Sequence, residues 1–174
     1  MIRVQKDKIL ERLLFSDGVA EAYARPEKEE TELGSDHWSD HWTRPVLLER
    51  VAYLRKRARF SEGSVCETIR EFSGYSVMLS VLLRSGDAVV LEDISVILIV
   101  LDGHATLVIG GALEHSKRVG PGEIRGTAIS GGSSRELRAG DLVHVAAGTP
   151  HQLLLAGDKT ISCLVVRVKD IREG

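Results

Sequence analysis

Cysteine is scarce in this 174-residue chain. Cys66 and Cys163 are the only two, far apart and outside any C-x-x-C pattern. They read as buried thiols of a reducing compartment, not as a disulfide framework. No charge dominates either: 23 Lys and Arg face 25 Asp and Glu, for a formal net charge of −2. That balance argues against a general nucleic-acid or membrane-surface binder. Long apolar runs are missing too. The longest candidate, Val96 to Leu101, is the size of a strand, and the first residues, Met1 to Lys8, are too charged for a signal-peptide core. The expectation is a soluble, cytoplasmic protein. Two catalytic signatures are absent as well, the G-x-x-x-x-G-K phosphate cradle and the G-x-S-x-G nucleophile elbow.

What is present divides into two textures, and the expected domains are residues 1–60 as a helical arm and 61–174 as a β-barrel. The first part is rich in charge and poor in glycine. It holds a short amphipathic segment (Ile9, Leu13, Leu14) and a polar stretch from Pro26 to Gly34 that reads as a solvated linker. A stronger helix is predicted from Pro45 to Arg59. Proline suits its first turn, Leu47, Val51, Leu54 and Ala58 share one stripe, and Lys56, Arg57 and Arg59 complement the dipole at its end. Between these lies a tandem repeat, Ser35-Asp-His-Trp-Ser-Asp-His-Trp42. If helical, it places His37 with His41, and Trp38 with Trp42, at i, i+4. Paired imidazoles at that spacing can chelate a metal, but no H-E-x-x-H glutamate follows His37, and burial of the tryptophans against the barrel or a second subunit is the favoured reading.

From residue 64 onward, short β-branched runs alternate with Gly-containing turns. Predicted strands are 66–72, 75–84, 87–92, 96–102, 104–109, 124–129, 134–138, 141–146, 150–155 and 160–169. No crossover helix fits between them, so the fold class is all-β, an antiparallel sandwich or jelly-roll barrel. Ser64-Val-Cys-Glu67 fits a helix capping box and a strand equally well. The segment Val119 to Gly126 reads as a long connection whose Glu123 and Arg125 either reach the barrel mouth or pair with each other.

The segment Gly140 to His151 carries a further signal. Gly140, Gly148 and His151 stand at the spacing Gly-x5-Pro-x-Gly-x2-His, with Ala146 in the proline position. Through these residues the chain resembles the cupins, the double-stranded β-helix superfamily, over roughly residues 64–169. A second cupin motif, His-x-His-x4-Glu-x6-Gly, is fixed in register by Gly103. Its ligand positions here are Val89, Leu91 and Val96. A divalent metal needs three or four N, O or S donors, and these supply none. The resemblance therefore implies an inward face shared by Val89, Leu91, Val96 and His151, with no metal and no cofactor. That face is either an apolar small-molecule pocket or plain core. Glu92 and Asp93 rebuild a metal site only if a bulge turns them inward. His144 differs in phase from its apolar neighbours, and His104 and His115 receive no role.

Three functions remain open at this level. The first is a small-molecule binder with His151, Val89, Leu91 and Val96 as the binding residues. The second is an enzyme, with His151 as the one candidate catalytic group, either a metal-independent isomerase or epimerase or a metallo-oxygenase with rearranged ligands. The third is a self-association module. Cupins are often dimers, so the resemblance also implies a homodimer.

Overall fold

The computed structural model describes residues 35–36 and 39–170. The chain divides into two compact units, residues 1–42 and 43–174. The amphipathic segment around Ile9 and the polar stretch before Gly34 lie outside the described residues.

In the first unit, β1 (Ser35–Asp36) and β2 (Ser39–Asp40) pair antiparallel, with Ser35 opposite Asp40 and Asp36 opposite Ser39. The Ser-Asp pairs of the tandem repeat are thus strand-paired, which corrects the helical reading. Ser and Asp are weak helix formers because their side chains compete for backbone hydrogen bonds. His37 and Trp38 themselves lie outside the described residues.

The second unit begins with helix α1 (Arg44–Ala58), one residue from the predicted span, with proline in its first turn. Leu47, Val51, Leu54 and Ala58 are its buried stripe. They cover one face of a curled sheet whose outward residues Val77, Leu79 and Val81 are equally buried. Polar ties fix the helix: Arg55 donates to Asp102 Oδ2 at 2.7 Å and Ser162 Oγ at 3.1 Å, and Arg50 forks onto Glu67 at 2.8 Å. The Arg55 guanidinium holds the Asp102 carboxyl below its ordinary value.

The strands of this unit are β3 (Ser64–Glu71), β4 (Tyr75–Leu82), β5 (Ala88–Leu91), β6 (Ile94–Ile109), β7 (Ala112–Glu114), β8 (Lys117–Gly120), β9 (Glu123–Gly126), β10 (Ala128–Ser130), β11 (Ser133–Arg138), β12 (Leu142–Val145), β13 (His151–Leu154) and β14 (Ile161–Lys169). Ten of them form one antiparallel sheet along the path β3-β4-β14-β6-β13-β5-β9-β8, with β11 and β12 also on β6. Ser64–Glu67, open between a helix cap and a strand, begins a strand. Two expectations need correction here. The connection after Gly111 contains strands β7 and β8. The two strands expected at 96–102 and 104–109 are one strand of 16 residues.

The last correction shapes the barrel. Asp102-Gly103 looked like a turn, but Gly103 adopts φ +84 and lets β6 bend and continue. Its first half pairs with β12 and β14, its second half with β11 and β13. Near the bend, Val100 faces Cys163 and Asp102 faces Ser162, so Leu101 is an extra residue and β6 carries a bulge. The inward residues accordingly change phase, from Val96, Leu98 and Val100 to Ala105, Leu107 and Ile109. The interior near the bend is filled by Val100, Ala105, Leu107, Leu137, Ile161 and Cys163.

Cys66 and Cys163 share this inner face, in the row Cys66–Ser80–Cys163. Two strand spacings of about 4.8 Å separate them, beyond the roughly 7 Å limit for a disulfide. Burial pushes the Cys66 thiol up and the Cys163 thiol to about 12. Both thiols should therefore react slowly with a disulfide reagent in the native state at mildly alkaline pH and promptly in denaturant. A stoichiometric fast phase from native protein would contradict this placement.

Candidate functional site at the open end of the barrel

β6 bends at Gly103, and the far ends of its two halves mark the other end of the barrel, here called its open end. Val96 lies seven positions before Gly103 and Ile109 six after it. Cross-strand partners point to the same side of a sheet, so two inner rows can be traced from these residues. One runs Ser76–Arg167–Val96–Val145. The other runs Ile109–His151–Val89–Arg125–Lys117.

Each residue singled out from the sequence can now be placed. His151 opens β13 directly opposite Val89. Leu91 and Val96 are 4% exposed and belong to the packed interior, while Val89 packs against it and stays partly exposed. The turn before His151 is held by the Gly148 N–H on Leu91 O at 2.7 Å and the Ala147 N–H on Ser95 Oγ at 3.2 Å. Gly148 meets this turn with φ +76. Glu92 does not join the group: Arg118 forks onto it at 2.7 and 2.8 Å on the surface. Asp93 and His144 are both exposed. His144 pairs with Ile97, out of phase with the inward Val143 and Val145.

Two groups did not stand out in the sequence. Arg167 continues the inward stripe Ile161, Cys163, Val165 on β14, yet in the chain it is one of many arginines near a terminus. His104, Glu136, Arg138 and Lys159 surround a separate cleft of about 320 Å3 beside Gly103. Registers of Arg138 with His104 and Glu136 with Thr106 place it on the outer face, away from His151.

The Glu123–Arg125 question is also answered. Both sit opposite inward residues of β5, Leu91 and Val89 respectively. They also pair with each other: Arg125 Nε donates to Glu123 Oε1 at 2.7 Å, and Arg125 Nη1 lies 3.4 Å from Asp87 Oδ2. Burial pulls the Arg125 guanidinium down, and the two carboxylates outweigh it and raise it.

His151 Nδ1 lies 3.1 Å from Thr149 O. A carbonyl oxygen only accepts, so this bond exists when Nδ1 carries the proton, which leaves a lone pair on Nε2 in the neutral ring. Desolvation lowers the His151 pKa from 6.5, the Thr149 carbonyl opposes that, and the Arg167 charge lowers it further. The unfolded chain thus binds a proton that the folded chain refuses. Stability is full above pH 6.5 and falls as acidification runs from there through the depressed folded value, then levels off. Urea melts across that range should show the loss, and His151→Gln should flatten it; an unchanged slope would contradict the burial of the ring.

The donor set bears on metal binding. Val89, Leu91 and Val96 offer no N, O or S atom, and among the described residues no three His, Cys, Asp or Glu side chains gather as a metal group. One imidazole does not repay the dehydration of a divalent transition metal. The residues present do not fit the metal that this architecture often carries.

Comparison with known proteins agrees with the fold. No protein-family model matches the chain, and no curated protein matches it. Among solved structures, TT1209 from Thermus thermophilus superposes with a TM-score of 0.50 at 17% identity, over 70% of this chain and 93% of that one. An uncharacterized conserved protein with a double-stranded β-helix domain from Klebsiella pneumoniae gives 0.48 at 14% identity, over 65% and 83% of the two chains. A Cupin 2 conserved barrel domain protein from Salinispora arenicola gives 0.43 at 17%, over 61% and 76%. The curled antiparallel barrel with one helix on its outer face is the cupin fold. Among the described residues no helix is long and apolar enough to cross a membrane.

Proposed function

We propose that this cupin-fold protein binds a small molecule at the open end of its barrel, beside His151, without a conventional metal centre. The observation that carries this reading is the setting of His151. A mostly buried imidazole, fixed through Nδ1 by Thr149, stands on an inner face whose neighbours Val89, Leu91 and Val96 are hydrocarbon. Leu91 and Val96 supply a packed floor, and the partly exposed Val89 and His151 form the reachable rim. Such a surface gains from apolar contact and orients its ligand with few polar groups.

A thermal-shift screen of small acids, sugars and aromatics against the protein and against His151→Ala tests it. A ligand selective for the folded state raises Tm, and the shift should vanish in the variant. Equal shifts in both proteins would place the site elsewhere. The neutral ring also favours a second reading, a metal-independent isomerase or epimerase in which Nε2 takes a proton from bound substrate. That reading requires turnover that His151→Gln abolishes while binding persists.

A further inference from the structure

The open end carries an unbalanced charge. Arg125 is matched by Glu123 at 2.7 Å and faces Asp87 at 3.4 Å. Arg167 is different. It follows Ile161, Cys163 and Val165 on the inner face of β14, opposite Ser76 and Val96, and among the described residues no carboxylate pairs with it. Its side chain is partly buried, and its charge is felt by both His151 and Cys66, on different strands. A guanidinium partly withdrawn from water without a counter-ion is an unfavourable arrangement unless an anion completes it.

We propose that this end of the barrel binds a small organic monocarboxylate, its carboxylate held by the Arg167 guanidinium and a hydroxyl donated to His151 Nε2. The inference rests on the binding reading above and adds the chemical class of the ligand. Three features select it. The planar guanidinium fork matches a carboxylate through two parallel hydrogen bonds. The hydrocarbon surface of Val89 and Val96 suits a short branched chain on the same molecule. Because the Thr149 carbonyl holds the proton on Nδ1, His151 is an acceptor toward the ligand, which requires a donor such as a hydroxyl.

The test uses 2-hydroxyisovalerate, its amide, isovalerate and inorganic phosphate as probes, titrated by calorimetry into the full chain and into Arg167→Met, Arg167→Lys and His151→Gln. Urea melts of each variant establish that it is folded. The expected order is 2-hydroxyisovalerate tighter than isovalerate, with the amide weaker than the hydroxy acid by about 10- to 100-fold, the usual worth of a charge-assisted hydrogen bond. Arg167→Met should lose the preference for acid over amide, Arg167→Lys should keep part of it, and His151→Gln should erase the advantage of the hydroxyl. Acid and amide binding equally, with Arg167→Met unchanged but His151→Gln impaired, would overturn the carboxylate assignment and leave the barrel reading standing. Phosphate binding more tightly than the hydroxy acid would overturn it too. Probes that bind equally to every variant would overturn both readings, as would probes that bind to none, the protein included.

Discussion

Replacing Gly103 by alanine should unfold a large part of the population at moderate temperature. A Cβ built there lies 2.0 Å from Thr160 O, 2.9 Å from Thr160 C and 3.2 Å from Ile161 Cα, all backbone atoms. No rotamer relieves such an overlap, because the chain itself must move. The backbone at φ +84 adds the usual left-handed penalty of about 1–2 kcal/mol for a residue with a side chain. The sum should approach roughly 4 kcal/mol, near the top of what single substitutions cost. Gly140 is the internal control. It has φ +97 but nothing within 4 Å of its added Cβ. Gly140→Ala should therefore lose only about 1–2 kcal/mol. Urea denaturation of the two variants decides the matter: equal losses would mean that the bend in β6 tolerates a side chain.

Leu54→Ala should produce the second large effect. Leu54 is 0% exposed on α1, within the stripe Leu47, Val51, Leu54 and Ala58 that seals the outer face of the sheet. Truncating a fully buried leucine costs about 2–5 kcal/mol, through lost transfer energy and the cavity left behind. For a chain of this size that is a fall in Tm of roughly 5–15 °C. The interior face of the barrel does not touch this layer. A ligand at the open end should accordingly bind Leu54→Ala with unchanged affinity at temperatures where the variant is folded. A loss of less than about 0.5 kcal/mol would place α1 outside the cooperative unit.

Much of this architecture is legible in the chain because local chemistry and global packing agree. The helix ends within a residue of its predicted limits, since Pro45 marks its start and the four-residue stripe marks its buried side. The strands after residue 64 follow from β-branched runs punctuated by glycine. The failures have physical causes. Asp102-Gly103 carries the composition of a reversal, and only the bulge at Leu101 shows that the strand bends and goes on. The Ser-Asp repeat fits helical spacing on paper, but serine and aspartate are weak helix formers, and Ser35–Asp36 pairs with Ser39–Asp40 instead. Short strands β7 and β8 hold too few apolar residues to announce themselves.

The site divides in the same way. His151 stands in a motif whose spacing is visible, and Val89, Leu91 and Val96 follow by counting from Gly103. Arg167 has no motif. Its role depends on which side of β14 it occupies, and that is fixed by register against Val96 and Ser76. The nearest signal in the chain is the alternation Ile161, Cys163, Val165, Arg167, an apolar series whose last member is charged. Glu92 shows the converse. It neighbours Leu91, but alternation turns it outward, where Arg118 takes it.

The extra residue at Leu101 divides β6 by parity. Even-numbered positions before it and odd-numbered positions after it form the lining, and a shortening of the chain by one there would exchange lining for exterior along half the strand. Insertions and deletions in this stretch are thus tolerable only in compensating pairs. Leu101 serves as a frame marker for both halves of β6 at once.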